Sequence, residues 1–128
     1  MLHPRQFEVN DAWIVFQLNA SPIQTDRNGD CACLALMDAA SCFMLSLELV
    51  PVAESEPIED EIRQLLAKGW HHKQAFPKAL LVPHGLHLAE ALSREAERSN
   101  IPVVRVPESE LLVIIGDARD EFRHQFGA

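Results

Sequence analysis

The sequence predicts an α/β domain: a five-stranded mixed sheet with helices on both faces, its elements in the order βββαβαβα. Three observations predict it. The first fifty residues hold apolar runs of strand length joined by short polar links. The hydrophobic pattern then changes to helical spacing, and from there strand and helix alternate to the end of the chain.

Residues 12–18 (AWIVFQL) are apolar, aromatic and β-branched throughout and read as a buried strand. Residues 19–30 form a polar connection holding Pro22 and the Asn28-Gly29 pair, a dipeptide suited to a tight turn. Strands follow over 32–37 and 43–50, linked by Asp38-Ala39-Ala40-Ser41; such short links make an antiparallel meander. Ile58, Ile62, Leu65 and Leu66 lie at helical spacing, with Pro57 suited to the helix start and Gly69 to its cap. After a WHHKQ loop, residues 78–82 read as a short buried strand. A helix over 85–99 carries the stripe Leu88, Ala91, Leu92 and Ala96 and is closed by Asn100. Residues 101–106 form the last strand. A helix over 108–126 is set by Leu111, Leu112, Ile115, Ala118 and Phe122, with Gly116 inside it. Strand-helix-strand steps late in the chain require right-handed crossovers and parallel neighbours.

Composition narrows the function. At 128 residues, 48% hydrophobic and 23% charged, the chain is expected to be one domain over 1–128 with a real core. No apolar stretch reaches the roughly 18–20 residues that span a bilayer. The opening MLHPRQFEVNDAW lacks the basic-then-apolar order of a signal peptide, so a cytoplasmic location is expected. A net charge of −8 with scattered Lys and Arg opposes general phosphate binding and makes nucleic acid an unfavoured partner. Cys31, Cys33 and Cys42 form neither a paired framework nor a zinc knuckle and are expected to pack. The acids around Glu54, Glu56, Glu59, Asp60 and Glu61 read as a solvated face, and no cofactor is implied.

Three segments carry a resemblance beyond topology. WIVFQLNASPI is similar to the first strand of retroviral-type integrase and transposase cores, where a Trp-led strand reaches Asp-x-Thr. LALMDAASCFMLSLELVP resembles their second and third strands with an Asp-x-x-Ser hairpin. KALLVPHGLHLAEALSREAERSNIPVVRVP resembles their fourth strand, the next helix and the fifth strand. The pieces cover roughly residues 12 to 106 in order, and the resemblance implies a ribonuclease H-like fold.

That resemblance also implies where chemistry would sit. Such enzymes hold two divalent cations with three acids, one on the first strand, one after the fourth and one on the last helix, because paired hard cations need carboxylates. Here the first position falls on Asn19 and the second on Pro83. His84 and Gly85 stand at the family's Asn and Gly. The last-helix position falls near Asp117, Asp120 or Glu121. The resemblance therefore implies a ribonuclease H-like domain lacking the catalytic acids.

Asp38 does not fill the gap. In a meander it lies at the opposite end of the strand pair from Asn19, ~20 Å away, and with Ser41 it suits the turn. Asp26, Asn28 and Asp30 do not complete a calcium loop, since Met37 stands where a Glu is needed. His84 and His87 are three apart at a helix start and read as two partly exposed rim histidines, so no metal is assigned; with Asp117 or Glu121 they are weak candidates for a His-His-carboxylate site, and His71 and His72 belong to a loop. Trp13 and Trp70 read as core and rim anchors. The reading that follows is a non-catalytic domain acting on a protein partner or on itself as a homodimer, through a sheet edge or helix face. The alternatives are a divergent metal-dependent nuclease using His84 with Asp117, Asp120 or Glu121, and a non-catalytic nucleic-acid-binding module.

Overall fold

The computed structural model describes residues 1–19, 23–25, 29–52, 58–86 and 88–126. Its centre is β1 (Ala12–Gln17), whose first five residues are buried. Neighbours on both edges and cover on both faces explain why this strand is apolar without alternation. β1 pairs antiparallel with β3 (Gly29–Asp38), Trp13 opposite Asp38 and Gln17 opposite Leu34, and parallel with β5 (Ala79–Pro83), Trp13 opposite Leu80. β5 pairs parallel with β6 (Val103–Val106). β4 (Met44–Pro51) takes the other edge of β3, antiparallel, with a register shift between Leu36 and Met37.

A sixth strand corrects the expected five. β2 (Ile23–Thr25) pairs antiparallel with residues 29–31 of β3, within the segment read as a polar connection. β2 continues the line of β1 along the same edge of β3, but not its register. Between Gln17–Leu34 and Ile23–Cys31, one chain advances six residues and the other three. Two strands share one ladder across a break. Asn28, named for the turn before β3, lies outside the described residues, as do Pro57 and His87.

Helices cover both faces. α1 (Glu59–Lys73) and α2 (Ala89–Arg98), with Leu88 just before α2, place Ile62, Leu65, Leu66, Leu88 and Leu92 against Trp13, Val15, Leu34, Leu36, Leu80 and Val82. Opposite them, α3 (Leu112–Phe126) and the turn before it set Leu111, Ile114 and Ile115 against Ile14, Phe16, Met37 and Leu81. Alternate β1 residues thus serve different cores, as a pleated strand requires.

Helix bounds depart from the spacing in three places. Gly69 does not cap α1 but lies inside it, buried. A Cβ there would stand 2.7 Å from Leu36 Cδ2 and 2.9 Å from Trp13 Cζ3, so the glycine permits the helix to approach the sheet. The helix runs one turn further and ends on Gln74 in the left-handed conformation, its N–H donating to Trp70 O. His71 and His72 therefore belong to the last turn of α1 and not to a loop. α2 starts at Ala89, not Gly85, because Pro83 to Leu86 form a turn; Gly85 has φ +83 and Leu86 N–H donates to Pro83 O. A short 3-10 turn at Glu108–Glu110 precedes α3. Asn100, at φ 57, ends α2 as expected. Among the described residues, no helix is long and apolar enough to cross a membrane.

Candidate functional site

The crevice beyond the carboxyl ends of β1 and β5 brings together three of the residues that sequence singled out, Asn19, Pro83 and His84. It is a cavity of about 590 Å³. Parallel β5 flanks β1, and open α/β sheets hold ligands in the crevice outside the carboxyl ends of their parallel strands.

Asn19 is a structural residue of the sheet. It is 3% exposed and stands at the break between β1 and β2. Its Oδ1 accepts the Cys33 N–H at 2.8 Å, and its Nδ2 donates to Cys31 O at 3.3 Å. The side-chain amide thus takes the place of a peptide unit in the ladder, which requires one donor and one acceptor; a carboxylate supplies only acceptors. Pro83 ends β5 with no ligating atom. His84 donates its backbone N–H to Val106 O at 2.8 Å, extending the β5–β6 pairing, and its side chain faces solvent.

The last helix brings cations to this crevice. Arg119 and Arg123, one turn apart, line it. Arg119 is the more buried, its side chain 23% exposed. Its Nε donates to Gln17 O at 3.0 Å, its guanidinium bonds Glu108 Oε1 at 2.5 Å, and its Cζ lies 5.8 Å from the Phe16 ring centroid. Arg123 pairs loosely with Asp120 at 3.4 Å on the exposed side of α3. Asp117 and Glu121 line a different cavity, with Cys42, Met44 and Val113. Residues two apart on a helix lie about 200° apart, so Asp117 and Glu121 cannot share the face of Arg119 and Arg123.

The donor set does not fit a pair of magnesium ions. Glu108 is the one carboxylate among the described lining residues, and it is committed to Arg119. Among the described residues no three His, Cys, Asp or Glu side chains come together as a metal site. Of the named metal candidates, His84 is in the crevice, Asp117 is outside it, and His87 lies outside the described residues.

Asp38 is fully buried at the opposite end of β1. Its Oδ2 accepts from the Ser41 N–H at 2.9 Å and the Ser41 hydroxyl at 2.8 Å, and its Oδ1 accepts from the Asn10 N–H at 2.8 Å. Asn10, at φ 69, in turn accepts from Trp13 Nε1 at 2.7 Å and donates to Phe76 O at 3.2 Å. The turn role of Asp38 and Ser41 extends to a brace across three segments. Cys42, at φ 57 in the same hairpin, is exposed, unlike Cys31 and Cys33. Its thiol is pushed up from the ordinary range by partial burial, then by the charges of Asp117 and Asp38.

A second surface lies where α3 leaves the sheet uncovered. β4 is an edge strand: among the described residues, nothing pairs its outer side. Leu47 and Leu49 project from it toward the α3 face, beside the buried Ala35 and Cys33, and stay 46% and 48% exposed. Glu48 projects to the other face and is ion-paired with Lys68 of α1. Leu47 and Leu49 line an apolar cavity of about 600 Å³ with Ile23, Phe122 and Phe126. Burial, with a smaller effect from the Glu48 charge, raises the Cys33 thiol at its base.

No family model matches the chain, and none of the curated proteins does. Among solved structures the chain is similar to the HTLV-2 integrase catalytic core domain in a dimeric form complexed with magnesium. Identity is 8% over 92% of this chain and 74% of the other, with a TM-score of 0.49.

Proposed function

We propose that this chain is a non-catalytic domain of ribonuclease H-like arrangement whose work is self-association through the outer edge of β4. The observation that carries the reading is the pair Leu47 and Leu49, each about half exposed on an edge strand with an open backbone. Val52 N–H donates inward to Asp30 O, so by alternation the main-chain groups of Val50, Glu48 and Ser46 also turn toward β3. Those of Leu47 and Leu49 face outward.

The strand suits a copy of itself. Pairing two β4 strands antiparallel about Glu48 sets Leu47 of one copy opposite Leu49 of the other, twice. It places four leucines on one face beside Phe122 and Phe126 from each copy. Cross-strand apolar pairs of this kind contribute roughly 0.2–1 kcal/mol each, and burial of the half-exposed leucines adds about 25 cal/mol per Å². Lys68 beside each Glu48 offsets the like charges that meet at the centre.

Arg119 and Arg123 in the crevice, together with the use of Asn19 in the ladder, support the non-catalytic half of the reading. The test is sedimentation velocity over the micromolar range with the wild type and Leu49→Lys, since a lysine on an edge strand opposes pairing. A wild-type dimer that becomes a folded monomer in L49K, with a melting temperature no longer dependent on protein concentration, is expected. A wild-type monomer throughout, or an L49K dimer, overturns the reading.

A further inference from the structure

The crevice at the ends of β1 and β5 is built around a fixed guanidinium. We propose that it binds a small organic anion, a carboxylate or a phosphate, held by Arg119 and Arg123. Its volume, about 590 Å³, is that of a small-molecule site, and Leu18, Pro83 and Leu86 give it an apolar part for the body of such a ligand.

Arg119 is preorganised for the task. Gln17 O, Glu108 and the face of Phe16 hold it from three sides. A guanidinium has five N–H donors, and these bonds use two, so the rest remain to be met. Arg123 follows at i+4, on the same side of α3. Two arginines and one glutamate stand among its described lining residues, and Arg123 is held otherwise only by its loose, solvent-exposed pair with Asp120 at 3.4 Å, which a bound anion can replace. Charge-assisted bonds to guanidinium are among the stronger polar contacts, the more so when the donor needs no ordering on binding.

The chain around the site selects for size. With a net charge of −8, the molecule repels a polyanion such as nucleic acid, while one carboxylate or phosphate meets mainly the local field of the two arginines. The site is remote in role from the β4 edge, and its occupancy does not depend on self-association.

The experiment is a titration of ¹⁵N-labelled protein with inorganic phosphate and, separately, with succinate, at constant ionic strength, following the arginine Nε–H resonances. A saturable shift of the Arg119 resonance with millimolar affinity is expected. Arg123→Gln, at an exposed position that leaves the fold intact, is expected to weaken it about fivefold or more. Arg94→Gln, on α2 and away from the crevice, is expected to change nothing. A response to phosphate alone assigns a phosphate ligand; a response to succinate alone assigns a carboxylate. The proposal is overturned if neither probe shifts Arg119, or if R94Q weakens the response as much as R123Q, which is the mark of diffuse charge.

Discussion

Asn19 and Cys33 face each other across a break in the sheet, the Asn19 amide oxygen accepting the Cys33 N–H at 2.8 Å while its nitrogen donates to Cys31 O. An aspartate there keeps the first bond and sets an oxygen against the Cys31 carbonyl. Asn19→Asp is therefore expected to cost about 1–3 kcal/mol of stability in urea unfolding. Excess magnesium is expected not to restore it, because Arg119 and Arg123 line the same crevice. Recovery of stability with magnesium would show that one substitution suffices to build a cation site.

Gly69 sets how closely α1 lies on the sheet. Helix propensity favours alanine there by about 1 kcal/mol, but the added Cβ would sit 2.7 Å from Leu36 and 2.9 Å from Trp13, both fully buried. Overpacking a closed core costs roughly 1–3 kcal/mol, so it outweighs the propensity gain. Gly69→Ala is expected to lower the melting temperature and to alter Trp13 emission. A gain in stability would mean that the helix can step outward freely.

Asp38 accepts three hydrogen bonds in a site closed to water. Asp38→Ala leaves the Asn10 and Ser41 donors without that acceptor, an expected loss of about 2–4 kcal/mol by urea unfolding. Ser41→Ala removes one donor and leaves the other two bonds, so it is expected to cost clearly less. Equal losses in the two variants would show that the hydroxyl carries the hairpin.

Asp11 is held below its ordinary value of 3.8, first by the Glu8 N–H and then by Lys78. Because its folded-state value is depressed, its contribution is present above pH 3.8 and is lost as pH falls through the lower folded value. Asp11→Asn is expected to lower the melting temperature at neutral pH, and its difference from wild type is expected to vanish in strong acid. A difference that persists there would show that charge plays no part.

Cys42 is the exposed thiol, and its raised value disfavours the thiolate that reacts. At pH 8, iodoacetamide is expected to label Cys42 more slowly than a free cysteine. Asp117→Asn is expected to speed the labelling, read by mass spectrometry.

Much of the fold could be read from the residues, because buried strands and amphipathic helices write their period directly. β1, β3, β4 and β5 lie within a few residues of their apolar runs, and the stripes of α2 and α3 are the ones that pack. β2 is not legible because Ile23-Gln24-Thr25 is short and half polar; it is a strand through its pairing with residues 29–31 of β3, which no local pattern encodes. Gly69 was read as a cap because sequence gives a glycine no direction, while the contact with Leu36 and Trp13 spans more than thirty residues. In α3 the family resemblance points to the acids and says nothing of the arginines. The signal was present: Arg119 and Arg123 stand at i+4 and i+8 from Ile115, along the margin of the apolar stripe, with Asp117 and Glu121 on the other margin.

The two strands that share one edge of β3 carry different reading frames. Three surplus residues separate their registers, an odd number, so even-numbered Ile14 and Phe16 and odd-numbered Ile23 all reach the same core. Ile23 pairs with Cys31 through a ladder of its own, so the face it presents is set by that pairing and not by the alternation of β1. Each half of this edge keeps its own frame: a slip of β2 by one residue against β3 would turn Ile23 out to water and offer Gln24 to the core, while Ile14 and Phe16 stayed where they are.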